Sequence, residues 1–239
     1  LLQAWEVLHG AGGDARAVGL LQAVWPQPDP ACWALASLGQ RDAALFRLHA
    51  ALFGTPLHTL ATCPQCGETL ESQFDCTQFF DGLATAPSPV RPLQLREQQW
   101  DIEFRLPCSA DVMALEGEHE DPATAVAALL RRCVLRARHE GHDVAPGPLP
   151  AAIVQCLEAR MAEHDPLADL RLAVTCPACA TAWSAVFDIG AYLWEAFDDW
   201  AQDLLTEVHQ LARDYGWSEY DILALAPVRR RFYLDLVQP

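Results

Sequence analysis

Hydrophobic residues between positions 1 and 53 recur every three or four residues, which is the period of amphipathic helices. The residues that show this spacing are Trp5 and Leu8, then Val18, Leu21 and Val24, then Leu45, Leu48 and Leu52. Prolines at positions 26, 28 and 30 break the pattern. Gly39 is expected to divide the segment that follows, and Gly54 to end it as a C-cap. The first part of the chain is therefore predicted to form a small helical layer.

The last third of the chain carries the strongest helical pattern. Its apolar residues again lie three or four positions apart, and they are Leu193, Phe197, Trp200, Leu204, Val208, Leu211 and Tyr215. This spacing predicts one long helix that Gly216 ends. Ser218 is expected to begin a short helix and Pro227 a final one. The C-terminal part is therefore predicted to be a helical hook.

Between these helical regions, apolar and charged residues alternate from Trp100 to Leu106, which is the period of a half-buried strand. Leu93 and Leu95 supply the expected hairpin partner. The other predictions here are an N-cap at Ser109, a helix over 125–137 after Pro122, a helix from Pro150 to about Glu163, a linker at 84–92 and a loop at 141–150. The fold class is predicted as mainly α with a small β component.

Two Cys-Pro-x-Cys turns belong to two copies of a longer pattern. Residues 62–79 match residues 175–192 at an offset of 113 positions. The matching residues are Thr62, Cys63, Pro64, Cys66, Phe74 and Asp75 with Thr175, Cys176, Pro177, Cys179, Phe187 and Asp188. Each copy predicts a strand, a cysteine turn (here called a knuckle), a second strand and the start of a helix.

A Cys-x-x-Cys turn directs two thiolates towards one point, and a tetrahedral zinc ion takes four ligands. We therefore predict that the two knuckles meet around one structural Zn²⁺. The predicted ligands are Cys63, Cys66, Cys176 and Cys179. Redox dithiols or two separate disulfides remain alternatives, as does the replacement of one ligand by His58 or Cys76. A closed set of four thiolates predicts a structural role, since catalytic zinc keeps a position for water.

The charge balance bears on the class of partner. The chain has 16 basic and 32 acidic residues, a formal charge of -16. Phosphate affinity comes mainly from clustered Lys and Arg, so a nucleic-acid partner is disfavoured and a protein partner favoured. The five cysteines outside the knuckles are interpreted as small buried hydrophobes. They are Cys32, Cys76, Cys108, Cys133 and Cys156.

Nothing in the sequence predicts catalysis. The eight histidines are scattered, and the glycine-rich stretch at 10–13 lacks the lysine of a phosphate-binding loop. An acidic helical face at Glu195, Asp198, Asp199 and Asp203 is interpreted as solvated, with a divalent-cation site as the alternative. Because neither a membrane span nor a secretory signal is evident, a cytoplasmic protein is expected. Because no catalytic motif is evident, the protein is expected not to be an enzyme.

Several segments together resemble one known family. They are Gly39-Gln40-Arg41-Asp42, Phe53-Gly54, CPQCGETLE at 63–71, FRLPCSAD at 104–111, Arg132-Cys133, DPLADLRLAVTCPAC at 165–179 and VHQLARDYGWSEYDILALAPVRRRFYLDLV at 208–237. This set resembles the phage-T4-type baseplate hub assembly chaperone family of contractile phage tails and related contractile injection systems. The resemblance implies a non-enzymatic role, transient or permanent, in building a baseplate or its hub around spike and tube-initiator proteins.

The sequence thus predicts a zinc-stabilised protein that binds baseplate, hub or spike proteins, and no nucleic acid, membrane or small-molecule substrate. The candidate partner contacts are Trp217, Tyr220, Arg229, Arg230, Arg231 and Tyr233, although packing between helices is an equal alternative for each aromatic residue. The predicted segments are helices at 1–56, a knuckle at 57–80, an inserted hairpin with helices at 81–168, a knuckle at 169–190 and the hook at 191–239. A zinc-ribbon nucleic-acid-binding or regulatory protein is the second hypothesis. A metal-dependent enzyme is the third.

Overall fold

The computed structural model describes residues 1–29, 31–80, 86–88, 90–116, 121–144 and 149–237. The helices are α1 (Leu2–Leu8), α2 (Gly13–Val24), α3 (Cys32–Leu35), α4 (Leu38–Phe53), α5 (Ser109–Met113), α6 (Pro122–Cys133), α7 (Ala151–His164), α8 (Ile189–Tyr215), α9 (Glu219–Leu223) and α10 (Pro227–Val237). The strands are β1 (Pro56–Thr62), β2 (Thr69–Asp75), β3 (Leu93–Glu97), β4 (Trp100–Phe104), β5 (Val134–His139), β6 (His142–Asp143), β7 (Arg171–Thr175) and β8 (Ala182–Val186). The fold is mainly α with a small β component, as predicted.

The main core joins the two helical regions that the sequence predicts at opposite ends. Leu21 of α2 and Phe46 of α4 are buried against Leu193 and Phe197 of α8, together with Trp33. The second half of α8 contributes to a separate cluster, in which Val208 and Leu211 pack on α9 and α10. Helix α8 therefore has its first half in the main core and its second half in the C-terminal hook.

The start of α4 differs from the sequence prediction. The break before it lies at Ser37, the N-cap, whose Oγ accepts a hydrogen bond from the Gln40 backbone N–H at 3.3 Å. Gly39 lies inside α4, where its N–H donates to Asp165 Oδ2 at 3.0 Å and a Cβ would collide with the Asp165 carboxylate. The glycine thus permits a close approach and does not divide a helix. Gly54 ends α4, as predicted.

The middle of the chain forms an antiparallel four-stranded sheet in the order β3-β4-β5-β6. Ile102 and Phe104 of this sheet are buried against Ile153 and Leu157 of α7. The helix predicted over 125–137 is wrong at its end, because α6 stops at Cys133 and the following residues pair with β4 as β5. The pairing aligns Ala137 with Ile102, so the sheet takes up a segment that still carries helix-forming residues.

An ionic network connects the sheet to its neighbours. The buried carboxylate of Asp111 accepts hydrogen bonds from Arg105 Nη2 at 2.8 Å and from Arg132 Nε at 3.0 Å. It also accepts the Cys108 backbone N–H, so Cys108 is the N-cap of α5. The predicted N-cap, Ser109, instead places its hydroxyl 3.0 Å from Arg41 Nη1. Burial raises the pKa of Asp111, but the arginine and Cys108 hydrogen bonds outweigh it and hold the pKa well below its usual range.

Two hairpins of the sheet turn through residues with positive φ. Gln98 and Gln99 connect β3 to β4 with φ of 46° and 68°, and Glu140 and Gly141 connect β5 to β6 with φ of 53° and 82°. The linker predicted at 84–92 and the loop predicted at 141–150 lie partly outside the described residues. In the described part of the chain, no helix combines the length and apolar character that a membrane crossing requires.

Candidate metal centre

Two short hairpins bring the knuckles together. β1 pairs antiparallel with β2, and β7 pairs antiparallel with β8. In the first hairpin the Cys63 N–H donates to the Glu68 carbonyl at 2.8 Å, and in the second the Cys176 N–H donates to the Thr181 carbonyl at 2.9 Å. These bonds close each turn directly beyond the last strand pair, so each hairpin presents its two cysteines at its tip.

The backbone of each knuckle also contains one residue in the left-handed region. Gly67 has φ of 75° and donates its N–H to the Cys63 carbonyl at 3.0 Å. Ala180 has φ of 58° and donates to the Cys176 carbonyl at 2.9 Å. This conformation reverses the chain within four residues, so that both sulfurs of a knuckle face the same side.

The four predicted ligands form one cluster. Their sulfur atoms all lie within 4.8 Å of one another. Cys63 Sγ lies 3.6 Å from Cys179 Sγ, and Cys66 Sγ lies 3.6 Å from Cys176 Sγ. A tetrahedral zinc ion with Zn–S bonds of about 2.3 Å requires sulfur separations of about 3.8 Å. The sulfurs therefore have the spacing of a four-thiolate metal site, and each of these cysteines is free of a disulfide.

The cluster is half covered by protein. Cys63 and Cys176, the first cysteine of each knuckle, are buried, whereas Cys66 and Cys179 are exposed. The buried pair directly follows β1 and β7, and the exposed pair lies further along in the turns. One metal ion would thus be anchored from the protein side and reachable from solvent.

The exposed thiols differ in acidity. The Thr181 hydroxyl, whose Oγ1 lies 3.2 Å from Cys179 Sγ, and the Thr181 N–H lower the pKa of Cys179 to about 6. Near Cys66, a backbone hydrogen bond involving Glu68 lowers the pKa, but bonds to the Cys179, Cys176 and Cys63 sulfurs outweigh it and raise it to about 12. The Thr181 contacts therefore favour the thiolate form of Cys179. A thiolate is the form of cysteine that binds metal.

The alternative ligands lie elsewhere. The Cys76 side chain is buried in the main core, with Sγ 3.9 Å from the Phe46 carbonyl, and it does not join the sulfur cluster. The backbone N–H of His58 donates to the Tyr192 hydroxyl at 3.1 Å, and His58 is likewise outside the cluster. The set formed by the structure is therefore the one predicted from the sequence repeat.

The acidic face of α8 is partly engaged by other side chains. Asp198 accepts hydrogen bonds from Trp5 Nε1 and Gln202 Nε2, both at 2.7 Å. In the described residues, only the four cysteines meet as a group of three or more side chains suited to holding a metal ion. A divalent cation at Asp198, Asp199 and Asp203 has no support in this geometry.

The candidate partner residues divide into packed and exposed sets. Trp217 stacks on Tyr215 with centroids 4.6 Å apart and meets Tyr233 edge-on at 4.9 Å. Arg230 Nε lies 3.2 Å from Glu207 Oε2 in a largely covered ion pair. Tyr220, Arg229 and Arg231 are exposed. The packed residues hold the hook together, which leaves the exposed ones accessible to a partner.

Three apolar residues of α10 were missed as candidates from the sequence. Val228, Phe232 and Leu236 are all exposed on this helix. Their spacing of four residues is a signal that could have identified them, but the same spacing is typical of a buried face. Only the packing of α10 shows that its core side is the one with Leu234.

Comparison of the chain with protein-family models, with curated proteins and with solved structures yields no match.

Proposed function

We propose that Cys63, Cys66, Cys176 and Cys179 bind one structural Zn²⁺. The observation that supports this is the set of four free sulfurs within 4.8 Å, presented by two hairpins. Thiolates in a tetrahedral arrangement favour zinc among the common biological divalent ions. Four protein ligands complete the zinc coordination shell, so the ion would supply stability and no catalysis.

We further propose that the two hairpins are copies of one structural unit. The turn bonds of Cys63 and Gly67 recur at Cys176 and Ala180. Asp75 and Asp188 each cap the helical turn that follows their hairpin. Equivalent positions thus carry equivalent local contacts, which supports a pseudo-twofold arrangement of the ligands around the metal.

From this site we infer a non-enzymatic assembly factor or structural component for the baseplate or central hub of a contractile tail or injection system. The observation that supports the inference is that the cluster joins the hairpin that follows α4 to the hairpin that precedes α8, two segments far apart in the chain. A role in protein binding agrees with the charge of -16 and with the exposed side of the hook. The resemblance of the sequence segments supplies the identity of the expected partners.

Metal analysis of the purified chain tests the site. We expect about one zinc per chain by mass spectrometry of the metal, and loss of that zinc in Cys179→Ser. Cys32→Ser is the matched control because Cys32 is free and lies outside the cluster. Zinc retained in full by Cys179→Ser would contradict the ligand set.

Co-expression tests the function. The chain would be produced with the hub, spike and tube-initiator proteins of a contractile tail operon and purified through a tag on this chain. We expect a stable complex with at least one of these proteins that survives high salt, because a specific interface depends mainly on its buried core. Failure to bind any of them would contradict the proposal. A band shift with nucleic acid at low salt would favour the zinc-ribbon hypothesis instead.

A further inference from the structure

Helix α10 presents an apolar stripe to solvent. The stripe consists of Val228, Phe232 and Leu236, which are 84%, 60% and 62% exposed. Residues four apart in a helix project about 40° from one another, so the three side chains share one face. Contiguous exposed apolar surface of this kind typically marks an interaction site.

The opposite face of α10 is fixed to the rest of the hook. Leu234 is buried with Ile222 and Leu211. The ion pair of Arg230 with Glu207 joins α10 to α8 on the same side. An isolated helix of eleven residues is only marginally stable in water, so these contacts keep α10 folded before any partner arrives. A partner therefore meets a preorganised helix, and preorganisation lowers the entropic cost of binding.

Two arginines border the stripe. Helical geometry places Arg229 on one side of it, and Asp235 with its ion-pair partner Arg231 on the other. Arg231 forms an exposed i,i+4 pair with Asp235 at 3.5 Å, and the Arg229 guanidinium lies 5.9 Å from the ring centroid of Tyr233. Both side chains thus remain at the surface in a chain whose formal charge is -16. The complementary surface is an apolar groove with an acidic border on the side that meets Arg229.

A second copy of the chain is a poor occupant. The molecule has its own apolar groove of about 680 Å³, lined by Trp100, Leu130 and Leu135 among others. That groove is lined by Arg131 and by Arg136, whose guanidinium is already paired with Asp143, so it offers no excess of carboxylates to Arg229 and Arg231. A membrane is also disfavoured, because the apolar stripe is short and a charge of -16 opposes contact with anionic lipid.

We propose that α10 is a docking helix that inserts Val228, Phe232 and Leu236 into an apolar groove with an acidic border on a different protein. This proposal rests on the proposed function, in which that protein is a hub or baseplate subunit. Binding follows the helix-in-groove mode, in which apolar side chains at i, i+4 and i+8 act as anchors. The arginines set orientation and association rate.

The test compares the wild-type chain with two variants in binding to the co-expressed hub, spike and tube-initiator proteins. Val228→Ser/Phe232→Ser removes most of the stripe, and we expect affinity to fall by about a hundredfold or more. Arg229→Glu/Arg231→Glu reverses the border charge, and we expect slower association with affinity lowered by about tenfold. Val7→Ser/Leu60→Ser is the control, since these residues are 81% and 72% exposed but lie on α1 and β1. Unchanged zinc content and unchanged helical circular dichroism show that each variant is folded.

Each outcome decides the proposal. Loss of binding in the stripe variant with binding retained in the control supports it. Equal binding by wild type and stripe variant overturns the docking helix while leaving the proposed function in place. Failure of the wild-type chain to bind any of the proteins overturns both. The assigned partner is also overturned if the wild-type chain forms a dimer in sedimentation that the stripe variant does not form. It is likewise overturned if the wild-type chain binds phosphatidylglycerol–phosphatidylcholine vesicles.

Discussion

At the scale of single residues, the knuckles offer a matched pair of substitutions. Ala180 adopts a left-handed conformation that costs an L-residue about 1 kcal/mol, whereas Gly67 adopts it freely. Ala180→Gly should therefore raise the free energy of unfolding by up to about 1 kcal/mol, and Gly67→Ala should lower it by a similar amount. A Cβ at Gly67 would meet no atom within 4 Å, so the loss would come from the backbone alone. Urea unfolding of the zinc-loaded protein measures both changes.

Ala182→Gly is the control for these substitutions. Ala182 is exposed in β8, where φ is ordinary and glycine weakens a strand. Ala182→Gly should therefore lower the free energy of unfolding, whereas Ala180→Gly should raise it. A change in the same direction at both alanines would show that the left-handed backbone at Ala180 does not determine the effect of Ala180→Gly on stability.

Asp42 gives a prediction about pH. Burial, and to a smaller degree Asp188 and Asp14, raise the pKa of Asp42 to about 6, although Arg41 acts in the opposite direction from 2.7 Å. An unfolded Asp titrates near pH 3.9, so the folded protein holds this proton more tightly. The stability that Asp42 contributes is therefore complete below about pH 4 and is lost as the pH rises to about 6.

Asp42→Asn removes this titration. The unfolding free energy of the variant minus that of the wild type should become more positive between pH 4 and 6.5, on top of a constant offset from the change of side chain. Denaturant unfolding at several pH values measures the difference. A difference that stays flat, or that falls with pH, would show that Arg41 keeps Asp42 ionised in the folded state.

At the scale of elements, the β3–β4 hairpin has an unfavourable turn sequence. A two-residue turn with positive φ at both positions is of type I′, for which Asn-Gly is preferred. Gln98 and Gln99 occupy it here. Replacing them with Asn and Gly should raise the free energy of unfolding by about 1 kcal/mol and slow hydrogen exchange in the strands on either side. Glu140→Asn in the β5–β6 turn should gain less, because Gly141 already fills its second position. No gain in the first turn would contradict the assigned geometry.

Several elements could be predicted from sequence because their signals are local. Gly216 ends α8 in a left-handed conformation, and Ser218 caps α9. The repeated cysteines identified the sulfur cluster because the same local pattern occurs twice. The end of α6 could not be predicted, since residues 134–137 form a strand only through pairing with β4. For the same reason, no pattern within α10 shows which of its two apolar faces is buried.

At the scale of the whole molecule, the metal centre should determine stability. Zinc bound by four thiolates contributes on the order of 10 kcal/mol in small metal-binding domains. Cys176→Ser should therefore yield insoluble or partly unfolded protein, and a strong chelator should lower the melting temperature of the wild type. Cys156→Ser, at a free cysteine outside the cluster, should change the melting temperature little. An unchanged melting temperature in Cys176→Ser would show that metal binding does not stabilise the fold.

The separation of the two knuckles has a consequence for synthesis on the ribosome. Cys63 and Cys66 emerge long before Cys176 and Cys179, so half of the ligand set must wait as free thiols. The main core is also incomplete until α8 has been synthesised, because Leu193 and Phe197 of α8 belong to it. Helix α10 follows all of these residues in the chain. A partner that recognises α10 therefore meets only chains in which all four cysteines of the cluster have already been made.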